Sequence, residues 1–208
     1  MSTAPPDRQA RADAVAIAKL FVPQIEDCTV QLKVAGSLRR RLAHIGDIEI
    51  VCEPRTAAAT AGLFDDIVTT RDLLDERMTE LLDAGTVQQR LDVNGRPRWG
   101  PTIKYLTYRD ARVDLFCPEA GRFGWILLLR TGPAMFSRQL VVPRSKIPGE
   151  EHTVTTTKDG RRGLLPPHIA SRGGWLCYRT SGEKIPTPTE QHVFDLFGMG
   201  YVEPHERT

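Results

Sequence analysis

Three carboxylates, set in two similar strand patterns, mark where this chain could do chemistry. Gly46-Asp47-Ile48-Glu49-Ile50-Val51 alternates acidic and apolar residues, and Arg112-Val113-Asp114-Leu115-Phe116 has the same rhythm. Successive side chains of a strand point to opposite faces, so Asp47 and Glu49 share one face while Ile48 and Ile50 enter the core. If the second segment neighbours the first, Asp114 joins that face. Three hard oxygen donors suit Mg²⁺ or Mn²⁺. Two such ions about 3.5–4 Å apart activate a hydroxyl nucleophile and stabilise a departing phosphate.

Gly36-Ser37 supplies a complement. A Gly-Ser turn at the end of a strand exposes backbone N–H groups and a hydroxyl that can cradle phosphate oxygens. Arg39 and Arg40 follow with planar donors suited to a triphosphate. Alone, an Asp-x-Glu is the wet side of a strand, a Gly-Ser is a turn, and three arginines in a row are a solvated patch. Together, with a third Asp in a matching strand, they favour a site.

The elements that must position these residues follow from periodicity. Ala14, Ile17, Ala18, Phe21 and Ile25 give residues 7–25 one apolar helical face, ended or kinked by Pro23. Val30, Leu32 and Val34 alternate as in a half-buried strand, and residues 47–52 form a second strand. Residues 56–84 read as a loop and then a helix with Leu73, Leu74, Met78, Leu81 and Leu82 as its stripe. Strands are expected over residues 87–93, 102–108 and 111–117, with turns at Asn94-Gly95 and Arg109-Asp110. This order predicts an α+β domain with a mixed sheet and helices on one face.

A different texture begins near Gly121. Residues 125–129 are a continuous apolar run, and Pro133 opens a short helix over 133–142. Residues 143–173 read as a long loop with one hairpin at Asp159-Gly160, and residues 175–179 pair with 184–185 across Ser181-Gly182. Thr187-Pro188-Thr189-Glu190 reads as an N-cap, Pro at N1 and Glu at N3 of a last helix. The boundary falls near residue 122, dividing the chain into 1–122 and 123–208.

Composition narrows the class. The 208 residues are 40% hydrophobic and 26% charged with a net charge of +2, as in an ordinary globular protein. No apolar run is long enough to span a membrane, and the N-terminus lacks a secretory pattern, so a cytoplasmic protein is expected, with association with the nucleoid compatible. Cys28, Cys52, Cys117 and Cys177 have no zinc-like spacing and read as reduced thiols. The small total charge conceals a division: residues 86–146 hold 11 basic and 4 acidic residues, whereas residues 60–85 hold 2 and 7. The basic block can attract a polyanion in a salt-sensitive way.

Gly36-Ser-Leu-Arg-Arg40, then Gly46-Asp-Ile-Glu49, then Arg112-Val-Asp114 resemble the nucleotidyltransferase signature of the DNA polymerase X family. Leu129-Arg-Thr-Gly-Pro133 resembles that family's Tyr-Phe-Thr-Gly-Ser stretch, and residues 185–190 and 200–207 are similar to its C-terminus. The resemblance covers nearly all of the chain apart from residues 143–172. It implies a polymerase beta-like palm followed by a small α+β, thumb-like subdomain that binds nucleotide.

By that resemblance, Asp47, Glu49 and Asp114 would hold two divalent ions, Mg²⁺ or Mn²⁺. Gly36, Ser37, Arg40 and Gly46 would hold the triphosphate of a dNTP. Leu129, Arg130, Thr131 and Gly132 would line its sugar, and Ser137 would stand where the family often has a base-contacting Asn. Lys104 and Arg112 would meet a DNA primer/template or gapped DNA. Glu49 departs from the usual Asp, and Leu129-Arg130 from the usual aromatic pair. No helix-hairpin-helix module is legible, so 5′-deoxyribose-phosphate lyase activity is not expected.

The leading expectation is a monomeric, metal-dependent polymerase of the gap-filling or repair type that adds dNMP to a primer 3′-hydroxyl and releases pyrophosphate. Two alternatives stand beside it. One is template-independent transfer to RNA, a protein or a small molecule, and the other is a non-catalytic nucleic-acid-binding accessory.

Overall fold

The computed structural model describes residues 8–60, 68–92 and 94–207. In chain order its elements begin β1 (Gln9–Ala10), α1 (Arg11–Phe21), β2 (Thr29–Val34), α2 (Gly36–Arg39), β3 (His44–Ile45), β4 (Ile48–Pro54), β5 (Thr56–Thr60) and β6 (Val68–Asp72). They continue with α3 (Leu73–Asp83), β7 (Gln88–Gln89), β8 (Trp99–Gly100), β9 (Ile103–Tyr108) and β10 (Ala111–Phe116). The last are α4 (Phe123–Thr131), α5 (Ala134–Leu140), β11 (Ile169–Arg172), β12 (Trp175–Tyr178), β13 (Lys184–Ile185) and α6 (Glu190–Phe197). The N-terminal residues read for a secretory pattern, and Val93, lie outside the described residues.

The chain divides into two compact units. The first takes the chain up to Val34 together with Leu42–Glu119, and the second takes Ala35–Arg41 together with the chain from Ala120 onward. Both mix helices and strands, so the fold is α+β.

The first unit is built on a mixed sheet in the order β2-β4-β10-β9-β7, with β8 also paired to β9. β4 and β10 run parallel, and their neighbours pair antiparallel. Register fixes what each face carries. Ile48, Ile50, Val113, Leu115 and Leu106 share one face and are buried. Helices α1 and α3 cover that face: the rings of Phe21 and Tyr108 lie 5.2 Å apart, and Lys104 reaches Asp75 of α3. Helix α1 buries Ala14, Ala18 and Phe21, one turn apart, and gives way to a 3-10 turn at Val22–Gln24 containing Pro23.

Two local expectations change. Val30 is exposed rather than half-buried, because the ladder slips between Thr29 and Gln31 and leaves Val30 in a bulge. Leu32 and Val34 keep their alternation opposite Cys52 and Ile50. Residues 56–60 and 68–72 are not loop but an antiparallel ribbon, β5 with β6. Its Ala and Thr residues carry no apolar alternation, so the period of a strand is absent from the sequence there. The turn at Arg109-Asp110 forms as expected, with both residues at positive φ (49° and 62°).

The second unit packs α4, α5 and α6 and the sheet β11-β12-β13 around Trp125, Leu128, Ile169, Leu176, Phe194 and Phe197. Helix α4 approaches the start of α6 so closely that a Cβ on Gly124 would meet the Thr189 carbonyl oxygen at 2.1 Å. Strand β11 lies within the stretch read as loop. The last helix is capped two residues later than its sequence suggests: Thr189, not Thr187, is the N-cap, and its Oγ1 accepts from the His192 N–H.

Candidate active site

Glu49 and Asp114 are register partners across the parallel pair β4 and β10. Asp47 lies two residues before Glu49, just ahead of β4, and both are partly exposed. Arg112, Tyr105 and Thr107 share the face of Asp114, opposite the helix-covered one. The expectation that the two acidic strands are neighbours is therefore met in the backbone.

Asp114 is 6% exposed, and a carboxylate so placed needs a cationic neighbour. Arg90, just beyond β7, supplies it: Nη2 donates to Asp114 Oδ1, and the guanidinium lies 4.9 Å from the centre of the Tyr105 ring. Arg90 Nε is buried without a hydrogen-bond partner. Among the described residues, no three His, Cys, Asp or Glu side chains close into a cluster that could hold a metal ion. Carboxylate oxygens are the hard donors such an ion takes, but in this arrangement the most buried of them, Asp114, is paired with Arg90.

Lys104 corrects an expectation. The resemblance implies that it lies near a nucleic-acid backbone, but it is 1% exposed, with Nζ donating to Asp75 Oδ1 at 2.5 Å and to the Gly100 carbonyl at 2.8 Å. Its register partner is Leu115, so it lies on the helix-covered face, opposite Asp114. Arg112 is exposed. Gly46 and Arg112 line one cleft together with Arg8 and Arg109.

In the second unit, Gly36-Ser37 does not form a free turn. It opens α2, with Gly36 at φ 61°, a conformation that favours glycine, and the Arg40 N–H donates to the Gly36 carbonyl. Arg39 is not a phosphate ligand in this arrangement. It forms a two-pronged pair with Glu190 (2.8 and 2.6 Å) and donates to Thr131 Oγ1 at 2.8 Å. Arg40 Nη1 donates to the carbonyls of Thr131 and Gly132.

Thr131 is fully buried and serves as acceptor for both arginines. Leu129 is partly exposed and Arg130 exposed. Ser137 Oγ donates to the Leu129 carbonyl at 2.7 Å, tying α5 back to α4, so its hydroxyl proton is already committed.

Glu190 is the centre of this unit. Besides Arg39 it accepts from Arg207 Nη1 at 2.9 Å and from the Tyr201 hydroxyl at 3.3 Å. Burial pushes its carboxyl up, but the hydrogen bonds from Arg39 and Arg207 outweigh this and hold it below the usual carboxylate range. Burial, with Glu190 nearby, pushes the Tyr201 hydroxyl up. The sequence offered Glu190 only as a capping residue. Arg90 gave no signal, and Arg207 appeared only as the end of a similar C-terminal segment, since an arginine in a basic block or near a C-terminus is unremarkable until its partner is known.

The α+β chain thus carries two carboxylates in register on parallel strands, the arrangement that the resemblance to polymerase beta-like nucleotidyltransferases implies. Residues 151–208 match the family model for the DNA polymerase beta thumb. DNA polymerase lambda of Rattus norvegicus is 27% identical over 180 residues, which cover 83% of this chain and 28% of the length of that relative. Both findings are likenesses to the DNA polymerase X family, and the chain spans about a quarter of the length of that relative. The matched thumb begins inside the stretch 143–172 that the sequence motifs left unassigned.

Proposed function

We propose that the chain transfers a nucleoside monophosphate from a dNTP to the 3′-hydroxyl of a DNA primer, in a divalent-metal-dependent reaction of the gap-filling type. The observation that carries this reading is the register pairing of Asp114 with Glu49, with Asp47 beside them. Likeness to a DNA polymerase supports DNA as the acceptor.

In this reading the acceptor oxygen attacks the α-phosphorus, the bond to the bridging oxygen of the β-phosphate breaks, and pyrophosphate leaves. Asp47, Glu49 and Asp114 would hold Mg²⁺ or Mn²⁺, which would lower the pKa of the hydroxyl and neutralise charge on the departing phosphates. Asp114 would orient the hydroxyl, and Arg112 the end of the primer. In the second unit, Gly36, Ser37 and Arg40 would hold the phosphates, while Leu129 to Gly132 and Ser137 would meet the nucleoside.

Extension of a primer in gapped DNA, with Mg²⁺ or Mn²⁺, tests the reading. The native protein should extend the primer, a chelator should stop it, and a folded Asp114→Ala variant should lose at least about 10³-fold in rate. Folded native protein that incorporates nothing into gapped DNA would refute it.

A further inference from the structure

Helix α2 carries Gly36 and Ser37 but has little of its own to hold it. It is a single turn of four residues, too short to persist by backbone hydrogen bonds alone. Its bonds are internal: the amides of Arg39, Arg40 and Arg41 donate to the carbonyls of Ala35, Gly36 and Leu38. Ala35–Arg41 nevertheless belongs to the second unit, although the chain on either side of it belongs to the first. Side chains must therefore fasten the turn there. Leu38 is buried, and Arg39 reaches Thr131 at the end of α4 and, with both prongs, Glu190 at the start of α6.

Glu190 is a fixed anchor for that fork. It is the first residue of α6, behind the N-cap Thr189, where α4 comes so near that a Cβ on Gly124 would lie 2.7 Å from the Glu190 nitrogen. Both carboxylate oxygens are occupied: Oε1 accepts from Arg39 and Arg207, and Oε2 from Arg39 and Tyr201. Arg207 is held in turn. Its side chain is fully buried, and Nε donates to the Val202 carbonyl at 3.1 Å. Its guanidinium lies 6.0, 5.6 and 5.8 Å from the ring centres of Phe136, Phe194 and Tyr201. A buried carboxylate between two guanidinium groups is a costly way to fill space, since apolar side chains of the same volume are often at least as stabilising. What such a network adds is direction, because a guanidinium fork accepts its partner in one plane. Here the direction it sets is that of α2.

We infer that Glu190 is a positioning residue for α2: through Arg39 it fixes where the helix presents Gly36 and Ser37, and Arg207 keeps the Glu190 carboxylate aimed at that fork. None of the three touches the nucleotide. The role given to Gly36 and Ser37 rests on the phosphoryl-transfer reading above, whereas the fastening of α2 by Glu190 does not.

The test uses the full chain with Arg39→Ala and Arg39→Lys, each shown to be folded by thermal unfolding. Arg39 is the position to change because its side chain is partly exposed, and Glu190 keeps Arg207 as a partner without it. Amide hydrogen exchange is followed in chelator without nucleotide, and primer extension is measured against dNTP concentration. Arg39→Ala should speed exchange of the amides at positions 39–41 by about 10-fold or more while α4 and α6 stay protected. It should raise KM for dNTP by about 10-fold with kcat within about 3-fold of native, as loss of ground-state placement requires. Arg39→Lys should recover part of both, since an ammonium still reaches the carboxylate with one hydrogen bond. Native exchange in Arg39→Ala would overturn the inference, and so would a native KM, which would mean that the network serves stability alone. Faster exchange confined to α2, in a protein whose native form extends no primer, supports the fastening and refutes the proposed reaction instead.

Discussion

Asp114 faces Glu49 across two parallel strands while its own carboxylate is held by Arg90. Two acids side by side on one sheet repel each other, and burying one of them makes a cation at that point obligatory. Arg90 meets the need without metal.

Removal of Arg90 should therefore expose the demand. In chelator, Arg90→Ala should cost about 1–3 kcal/mol, because a nearly buried carboxylate loses its charged donor. Mg²⁺ or Mn²⁺ should then raise the Tm of the variant by more than that of the native protein. Equal shifts in both proteins would argue against metal at Asp114.

Glu190 gives a prediction with a defined pH direction. Its folded-state pKa is lowered, so its stabilising contribution is complete above the ordinary carboxylate range and is lost as pH falls through the lowered value. Glu190→Ala should cost about 3–5 kcal/mol at neutral pH, since it leaves the buried guanidinium of Arg207 unpaired along with Arg39. Glu190→Gln should cost less and should flatten the loss of stability in acid. Urea unfolding between neutral and acid pH checks both, and an acid limb unchanged in Glu190→Gln would place the titration elsewhere.

The sequence carried the parts of the fold that repeat. Apolar spacing marked α1 and α3, and alternation marked β4, β9 and β10, because each buries one regular face. The ribbon of β5 and β6 stayed hidden, since Ala and Thr on a two-stranded ribbon give no contrast between faces. The acidic strip was legible because Asp47, Glu49 and Asp114 interrupt apolar strands at matching phase. What those charges touch was not legible. Lys104 and Arg112 look alike in sequence, yet register turns Lys104 toward Asp75 and leaves Arg112 exposed. Arg39 and Arg40 are adjacent, yet the first pairs with Glu190, 151 positions away. Such pairings depend on long-range packing that no local pattern encodes.

Gly124 should tolerate no side chain. Its Cβ would fall 2.1 Å from the carbonyl carbon and oxygen of Thr189 and 2.7 Å from the Glu190 nitrogen, all of them backbone atoms that cannot rotate away. Gly124→Ala should cost at least about 1–3 kcal/mol by forcing α4 and α6 apart. Gly200→Ala, where a Cβ meets nothing within 4 Å, should stay within about 0.5 kcal/mol of the native protein. Thermal unfolding of the pair compares them directly, and equal stabilities would mean that the close approach is not held in solution.

The four thiols should divide by accessibility and charge. Cys52 on β4 and Cys117 just past the end of β10 are buried with their sulfurs 3.8 Å apart, and the contact with Cys117, reinforced by burial, pushes the Cys52 thiol well up. A thiol kept protonated and out of water is a poor nucleophile toward disulfide reagents. Cys177 is buried too, whereas Cys28 is partly exposed, with burial raising its thiol more modestly. An aromatic disulfide reagent at pH 8 should therefore label Cys28 first and slowly, and the other three only once denaturant opens the core. Cys28→Ser should remove the native-state phase and leave the denatured-state phase in place. Rapid labelling of more than one thiol in the native protein would mean that the core around a buried cysteine opens far more readily than its burial implies.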